Sequence, residues 1–271
     1  MSAADLGKRL LAEVEEVGFD ECMQETQNAT SNLQSSSPMI EITSQRPCSG
    51  KTNLMYHMIT TAVLPFNLGG RQAAVIFLDT DNHFSATRLA QQMRKTIVTH
   101  TREEFTDEES LYQTLEDSLK HVHVLRPQSL SALITTLNSL SDYLFDPTRH
   151  KSFDRAISFI ALDSASAFYW QFRADAENAA LQASFKTKDS TTKVQQPTGY
   201  IQLAASLKNA SRILSATIIY TTRDFNPPQK SPGGHSSAFL LPESHSIRPS
   251  LPPPWPNLAT LRLIMNEHYK T

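Results

Sequence analysis

The stretch that most limits what this chain can become is MIEITSQRPCSGKTNLMYHMITTAVLP, residues 39–65. It opens on Met39, Ile40 and Ile42, a short apolar strand pattern, and a polar loop closed by Gly50-Lys51-Thr52 follows. Met55, Met58, Ile59, Ala62 and Val63 then recur at three- and four-residue spacing, which predicts an amphipathic helix ended by Pro65. Strand, phosphate-cradling turn, then a helix whose N-terminus faces the anion is the order of a P-loop.

The loop departs from the GxxxxGK[ST] pattern. Gln45 stands at the first glycine position, and the segment reads QRPCSGKT. Glycines let backbone N–H groups turn inward at positive φ with little steric cost. Gln45 and Cys48 resist that, and Pro47 has no N–H to give. Ser49, Gly50, Lys51 and Thr52 remain as nucleotide-binding candidates: Lys51 to reach a phosphate, Thr52 to ligate Mg²⁺. The competing reading is a plain loop–helix junction in which Gly-Lys-Thr is accidental.

Downstream, strand and helix patterns alternate. Ala73 to Leu78 is an uninterrupted apolar run, as a strand buried on both faces requires, and it ends in Asp79, Thr80 and Asp81. A helix containing Leu89 follows, and Thr106 with Glu109 makes a capping box before another. His121 to Leu125 is a third strand with His121 and His123 on one face. No Cys, Asp or Glu nearby completes a metal site, so the pair reads as structural. Leu130, Leu133, Ile134, Leu137 and Leu140 predict a helix, and Phe159 to Leu162, capped by Asp163, a fourth strand. Residues 173–199 read as a polar loop with some helix, Tyr200 to Leu214 as a helix, and Thr217 to Tyr220 as a fifth strand running into Thr221, Thr222 and Arg223. Leu261 to Met265 is the last strand.

Such alternation predicts an α/β domain with a mostly parallel central sheet and flanking helices. Ligands of these sheets bind beyond the strands' carboxyl ends. The Gly-Lys-Thr loop, Asp79–Asp81, Asp163 and Arg223 each follow such an end, so all are expected on one rim. In that frame Thr52 and Asp163 share a Mg²⁺, and Asp81 or Asp79 orients an attacking water.

Size and composition narrow the classes. At 271 residues and 39% hydrophobic content the chain can bury a proper core. Residues 1–37 read as an N-terminal helix (Leu6, Leu10, Leu11, Val14, Val17) and a polar linker. Residues 38–271 read as the main domain, with irregular loops at 176–199 and 224–256. Nine of the fifteen prolines lie between Pro227 and Pro256, which marks the second loop. A net charge of −2 supplies no general attraction to nucleic acid, and the apolar runs are strand-sized, so no membrane span is expected. Cys22 and Cys48 alone suggest a reducing compartment.

The segments LDTDNHFSATRL and LDSASAFYW, set after a strand–GKT–helix, resemble the ATPase core of the eukaryotic RecA-type recombinases and their paralogues. The likeness runs from about Leu6 to Met265, and Trp255 after the prolines is part of it. It implies a RecA-like P-loop core that uses ATP and Mg²⁺, with Lys51 and Thr52 as the Walker A pair and Asp163 as the Walker B aspartate. It places Asp81 where active members carry a catalytic glutamate. Arg223 falls where they carry a glutamine linking the nucleotide to the DNA-binding loop. Gln45, Asp81 and Arg223 depart from that pattern together and weigh against ATP turnover and DNA-driven switching. The resemblance further implies a nuclear mediator subunit of homologous recombination and double-strand break repair. Such a subunit works with other RecA-type paralogues and meets single-stranded or branched DNA through the complex. Two other classes stay open: an active DNA-stimulated ATPase or other P-loop NTPase, and a lone single-stranded DNA binder. The binder would use Tyr169, Trp170, Phe172 and Arg173, although Tyr169 and Trp170 read more readily as core or partner contacts than as stacking platforms.

Overall fold

Six strands pair in the order β3-β2-β4-β5-β1-β6, and every pairing is parallel. The computed structural model describes residues 38–44, 50–101, 108–186, 198–223 and 251–265. Within them the chain order is β1 (Met39–Ser44), α1 (Lys51–Val63), β2 (Ala74–Asp79), α2 (Ala86–Thr101), α3 (Glu108–Leu119) and β3 (Val122–Leu125). Then come α4 (Leu130–Asn138), α5 (Leu140–Leu144), β4 (Ile157–Asp163), α6 (Tyr169–Lys186), α7 (Gly199–Leu214), β5 (Thr217–Arg223) and β6 (Leu261–Ile264). The predicted first helix, the residues from Gln45 to Ser49, and the capping residue Thr106 lie outside the described residues.

A parallel sheet is stable only when both faces are covered, and the strand alternation here serves two cores. Val75 and Phe77 of β2, Phe159 and Ala161 of β4, and Ile219 of β5 point to one side. There they meet Met55, Ile59 and Val63 of α1, Leu89 and Met93 of α2, and Leu111 and Leu115 of α3. Ile76, Leu78, Ile160, Leu162, Ile218 and Tyr220 point to the other side, against Leu133 and Leu137 of α4 and Leu203 and Leu207 of α7. Trp255 and Leu258 close that second core from the far end of the chain. The two-residue period of each strand thus divides one apolar run between two layers.

The structure moves two boundaries. Residues 176–186, expected within an irregular loop, belong to helix α6, which begins at Tyr169. Their sequence, AENAALQASFK, has strong helix formers but no apolar stripe, so periodicity alone does not show the helix. The fifth strand continues past Tyr220 to Arg223, with Thr221 pairing Ile42, Thr222 pairing Thr43 and Arg223 pairing Ser44 of β1. This extension brings Arg223 level with the end of β1. No helix among the described residues is long and apolar enough to cross a membrane.

Candidate nucleotide site

Gly50 adopts φ 88° and ψ 5°, left-handed backbone that a side chain disfavours, and the helix α1 starts at the next residue. Lys51 and Thr52 are therefore fixed in its first turn, at the helix end that favours anions. The Lys51 ammonium donates to Ser44 Oγ at the end of β1. Thr52 Oγ1 donates to Asp163 Oδ2 at 2.9 Å, across 111 residues of sequence. Asp163 is buried at the end of β4, and Thr221 Oγ1 of the adjacent β5 donates to its other oxygen at 2.5 Å. Parallel pairing of β4 with β5 puts that threonine beside the aspartate.

The acidic residue that ends β2 and the one two positions beyond it divide their duties. Asp79 is buried and turned into its own loop, where it accepts the backbone N–H groups of His83 at 2.9 Å and Phe84 at 3.1 Å, and Arg126 Nε at 3.1 Å. Those three bonds hold the loop 80–85 in shape and occupy the carboxylate. Asp81 faces the pocket instead. Its Oδ2 receives Ser164 Oγ at 3.2 Å and Arg223 Nη2 at 3.0 Å. The backbone N–H of Arg223 is anchored on Ser166 Oγ at 3.1 Å.

Lys51, Thr52, Asp81, Asp163 and Arg223 accordingly line one cavity of about 370 Å³, a volume within the range of small-molecule sites. Ser49 lies outside the described residues. Mg²⁺ asks for a few hard oxygen ligands and keeps water and phosphate oxygens for the rest. The Thr52 hydroxyl and Asp163 carboxylate, in hydrogen-bond contact on the cavity wall, fit that requirement, and the Lys51 ammonium lines the same wall as a group that could hold phosphate.

Sequence reasoning missed part of the wall. Asn53, His83 and Arg88 also line the cavity, and Arg88 Nη2 donates to Asn53 Oδ1 at 2.6 Å. The Arg88 guanidinium lies 5.5 Å from the Tyr56 ring centre, a cation–π distance. Tyr56 in turn accepts the Ser85 N–H at 2.7 Å, and burial raises its pKa, so the phenol stays neutral. Arg88 sits in the same LDTDNHFSATRL segment as Asp81, one helical turn past the loop, and that proximity was the available signal. Thr221 carried none, because nothing local marks a threonine that will neighbour an aspartate 58 residues away.

The remaining sequence candidates fall elsewhere. His121 Nδ1 and His123 Nε2 both contact Ser152 Oγ, at 2.8 and 2.9 Å, and His123 Nδ1 lies 3.0 Å from the Tyr143 hydroxyl. Both histidines are buried. Tyr169 packs edge-on against the buried Tyr200 at 6.4 Å. Trp170 is 54% exposed, with Arg173 over its ring and that arginine paired to Glu177 at 2.9 Å.

No protein-family model matches the chain. Individual proteins do. Over 143 residues it is 31% identical to the DNA repair protein XRCC2 of Mus musculus, a match covering 52% of this chain and 45% of that protein. It is 27% identical over 186 residues to the DNA repair protein RAD51 homolog 2 of Homo sapiens, covering 68% of this chain and 41% of that one. The DNA repair and recombination protein RadA of Methanoculleus marisnigri is 26% identical over 121 residues, 45% of this chain and 33% of RadA. The matched stretch is less than half the length of each of these relatives. Taken with the all-parallel sheet and the rim its strands build, these likenesses give the chain a RecA-like core that is similar to those of XRCC2 and the RAD51 paralogues.

Proposed function

We propose that this chain is a mediator subunit in a complex of RecA-type recombinase paralogues, acting in homologous recombination and double-strand break repair in the nucleus. Its RecA-like site holds ATP with Mg²⁺ weakly and hydrolyses it poorly. The DNA-repair relatives support the process; the site supports the division between holding and turnover.

The observation that carries this reading is the state of Asp81. A water-activating carboxylate must have an oxygen free to accept a proton within hydrogen-bond reach of the water. Asp81 is one methylene shorter than glutamate, and the oxygen that faces Arg223 is already bonded by that guanidinium and by Ser164. The groups that would hold nucleotide, Lys51, Thr52 and Asp163, remain in register. Binding parts are kept, while the carboxylate at the hydrolytic position is shortened and has one oxygen shared between Arg223 and Ser164.

Two measurements test it. Tagged full-length chain recovered from cells should bring a second RecA-type paralogue with it. Purified chain with ATP and Mg²⁺, with and without single-stranded DNA, should turn over at the rate of its Lys51→Ala variant. Robust hydrolysis that disappears in Lys51→Ala would overturn the mediator reading in favour of an active ATPase. That alternative is favoured by one feature, the intact contact of Thr52 and Thr221 with Asp163.

A further inference from the structure

On the face of the sheet away from α1, the helices α4, α6 and α7 leave a second cavity of about 330 Å³ between them, and it shares no lining residue with the nucleotide site. Leu130 and Ile134 of α4, Phe168 just before α6, and Phe172 of α6 make its apolar floor. All four side chains pack against the second core, and Phe172 stands edge-on to the buried Tyr200 at 5.0 Å, so the floor is held from beneath. Gly199, where α7 begins, lets the walls close: a Cβ there would stand 2.7 Å from Leu130 Cδ2.

The rim over that floor is polar, and its charge is of one sign. Gln128, Gln171 and Gln202 offer amide donors and acceptors, the groups that satisfy a peptide main chain. Asp175 is the one charged side chain on the wall among the described residues, and its Oδ1 accepts Gln171 Nε2 at 2.8 Å. Arg173, two residues away, is paired with Glu177 instead, at 2.9 Å. Nucleic acid is a poor fit: its phosphates call for Lys or Arg, the described wall has neither, and a carboxylate repels them. A large apolar side chain next to a cation meets every feature. The floor takes the apolar group, the glutamines the flanking main chain, and Asp175 the charge.

We propose that this groove docks a peptide segment of a partner protein, one that carries a large apolar side chain beside a lysine or arginine. Burial of the apolar group supplies most of the affinity, roughly tenfold to a hundredfold over a peptide that lacks it. The Asp175 pair lies in water and adds about a few-fold, and it decides which segment is accepted. The proposal goes beyond the mediator reading: it fixes a surface and a partner chemistry, and it holds whether or not the first cavity binds nucleotide.

The test is fluorescence anisotropy of the purified full-length chain with labelled Gly-Ser peptides whose centres are Phe-Lys, Ala-Lys and Phe-Glu. Phe-Lys should bind, with Ala-Lys weaker by about tenfold or more and Phe-Glu by about threefold or more. Asp175→Lys should invert the preference between Phe-Lys and Phe-Glu, a result that misfolding cannot mimic. Gln202→Trp, at an exposed wall position, should fill the mouth and abolish binding of all three. Equal affinity for Phe-Lys and Phe-Glu that persists in Asp175→Lys overturns the proposal, as does binding that Gln202→Trp leaves unchanged. Failure of the Phe-Lys peptide to bind overturns it too, and an oligothymidylate that binds wild type but not Gln202→Trp would assign the groove to nucleic acid instead. None of these outcomes bears on ATP or on which paralogue co-purifies, so the mediator reading is tested separately.

Discussion

Trp255 is the anchor by which the end of the chain holds the site, and removing it should be costly. Only 2% of it is exposed. It stands edge-on to Tyr200 at 5.9 Å and perpendicular to Tyr220 at 5.3 Å, and its indole N–H donates to the Tyr200 carbonyl at 3.0 Å. Tyr200 passes the constraint on: its hydroxyl donates to Ala165 O at 3.1 Å, two residues past Asp163. Trp255→Ala removes a large buried side chain and leaves a cavity, an effect of about 3–5 kcal/mol. The two aromatic contacts are included in that figure, at roughly 0.5–1.5 kcal/mol each. Trp255→Phe keeps most of the apolar contact and loses the N–H bond and part of the volume, for about 1–2 kcal/mol. Set against a typical total of roughly 5–15 kcal/mol, the alanine variant should be marginal at 37 °C. Urea unfolding followed by far-UV circular dichroism reads the loss as a lower midpoint at unchanged slope. Trp170, the chain's other tryptophan and half exposed, is the control: Trp170→Ala should cost under about 0.5 kcal/mol. If Trp255→Ala cost no more than Trp170→Ala, the role given to the second core would be wrong.

Other outcomes follow from the same contacts. Tyr220 buries a hydroxyl that finds no hydrogen-bond partner among the described residues, so Tyr220→Phe should be neutral or stabilising by up to about 1 kcal/mol in the same unfolding assay. Burial, reinforced by His150 and His121, pushes the pKa of His123 down to about 4. The folded protein therefore binds fewer protons than the unfolded chain at mildly acid pH. The contribution of a neutral His123 is complete above about pH 6.5 and is lost as pH falls toward 4, by about 3 kcal/mol at most. His121 is lowered in the same direction, by burial first and then by Arg155. His123→Gln should flatten the dependence of the unfolding midpoint between pH 6.5 and 4.5. A slope equal to wild type would remove the histidine from the account.

The sequence by itself determined the alternation of strands and helices, because a buried parallel strand writes itself as a continuous apolar run and a packed helix as a 3.6-residue stripe. It also determined that acidic, hydroxyl and basic residues follow those strands, which is why Lys51, Thr52, Asp81, Asp163 and Arg223 could be named together from local pattern and resemblance. It could not show α6 past Tyr169, since a helix exposed around most of its surface leaves no stripe to read. Nor could residue pattern divide Asp79 from Asp81, and only the resemblance singled out Asp81. They are two residues apart and chemically identical, and only the course of the loop turns one inward to three donors and the other into the cavity. The same holds for the pairing of Asp81 with Arg223, separated by 142 residues. Strand order decides that meeting: β2 and β5 both flank β4, so their ends reach across the same cavity. Residue types are a local property of the chain, whereas the partner of each charge is a property of the sheet.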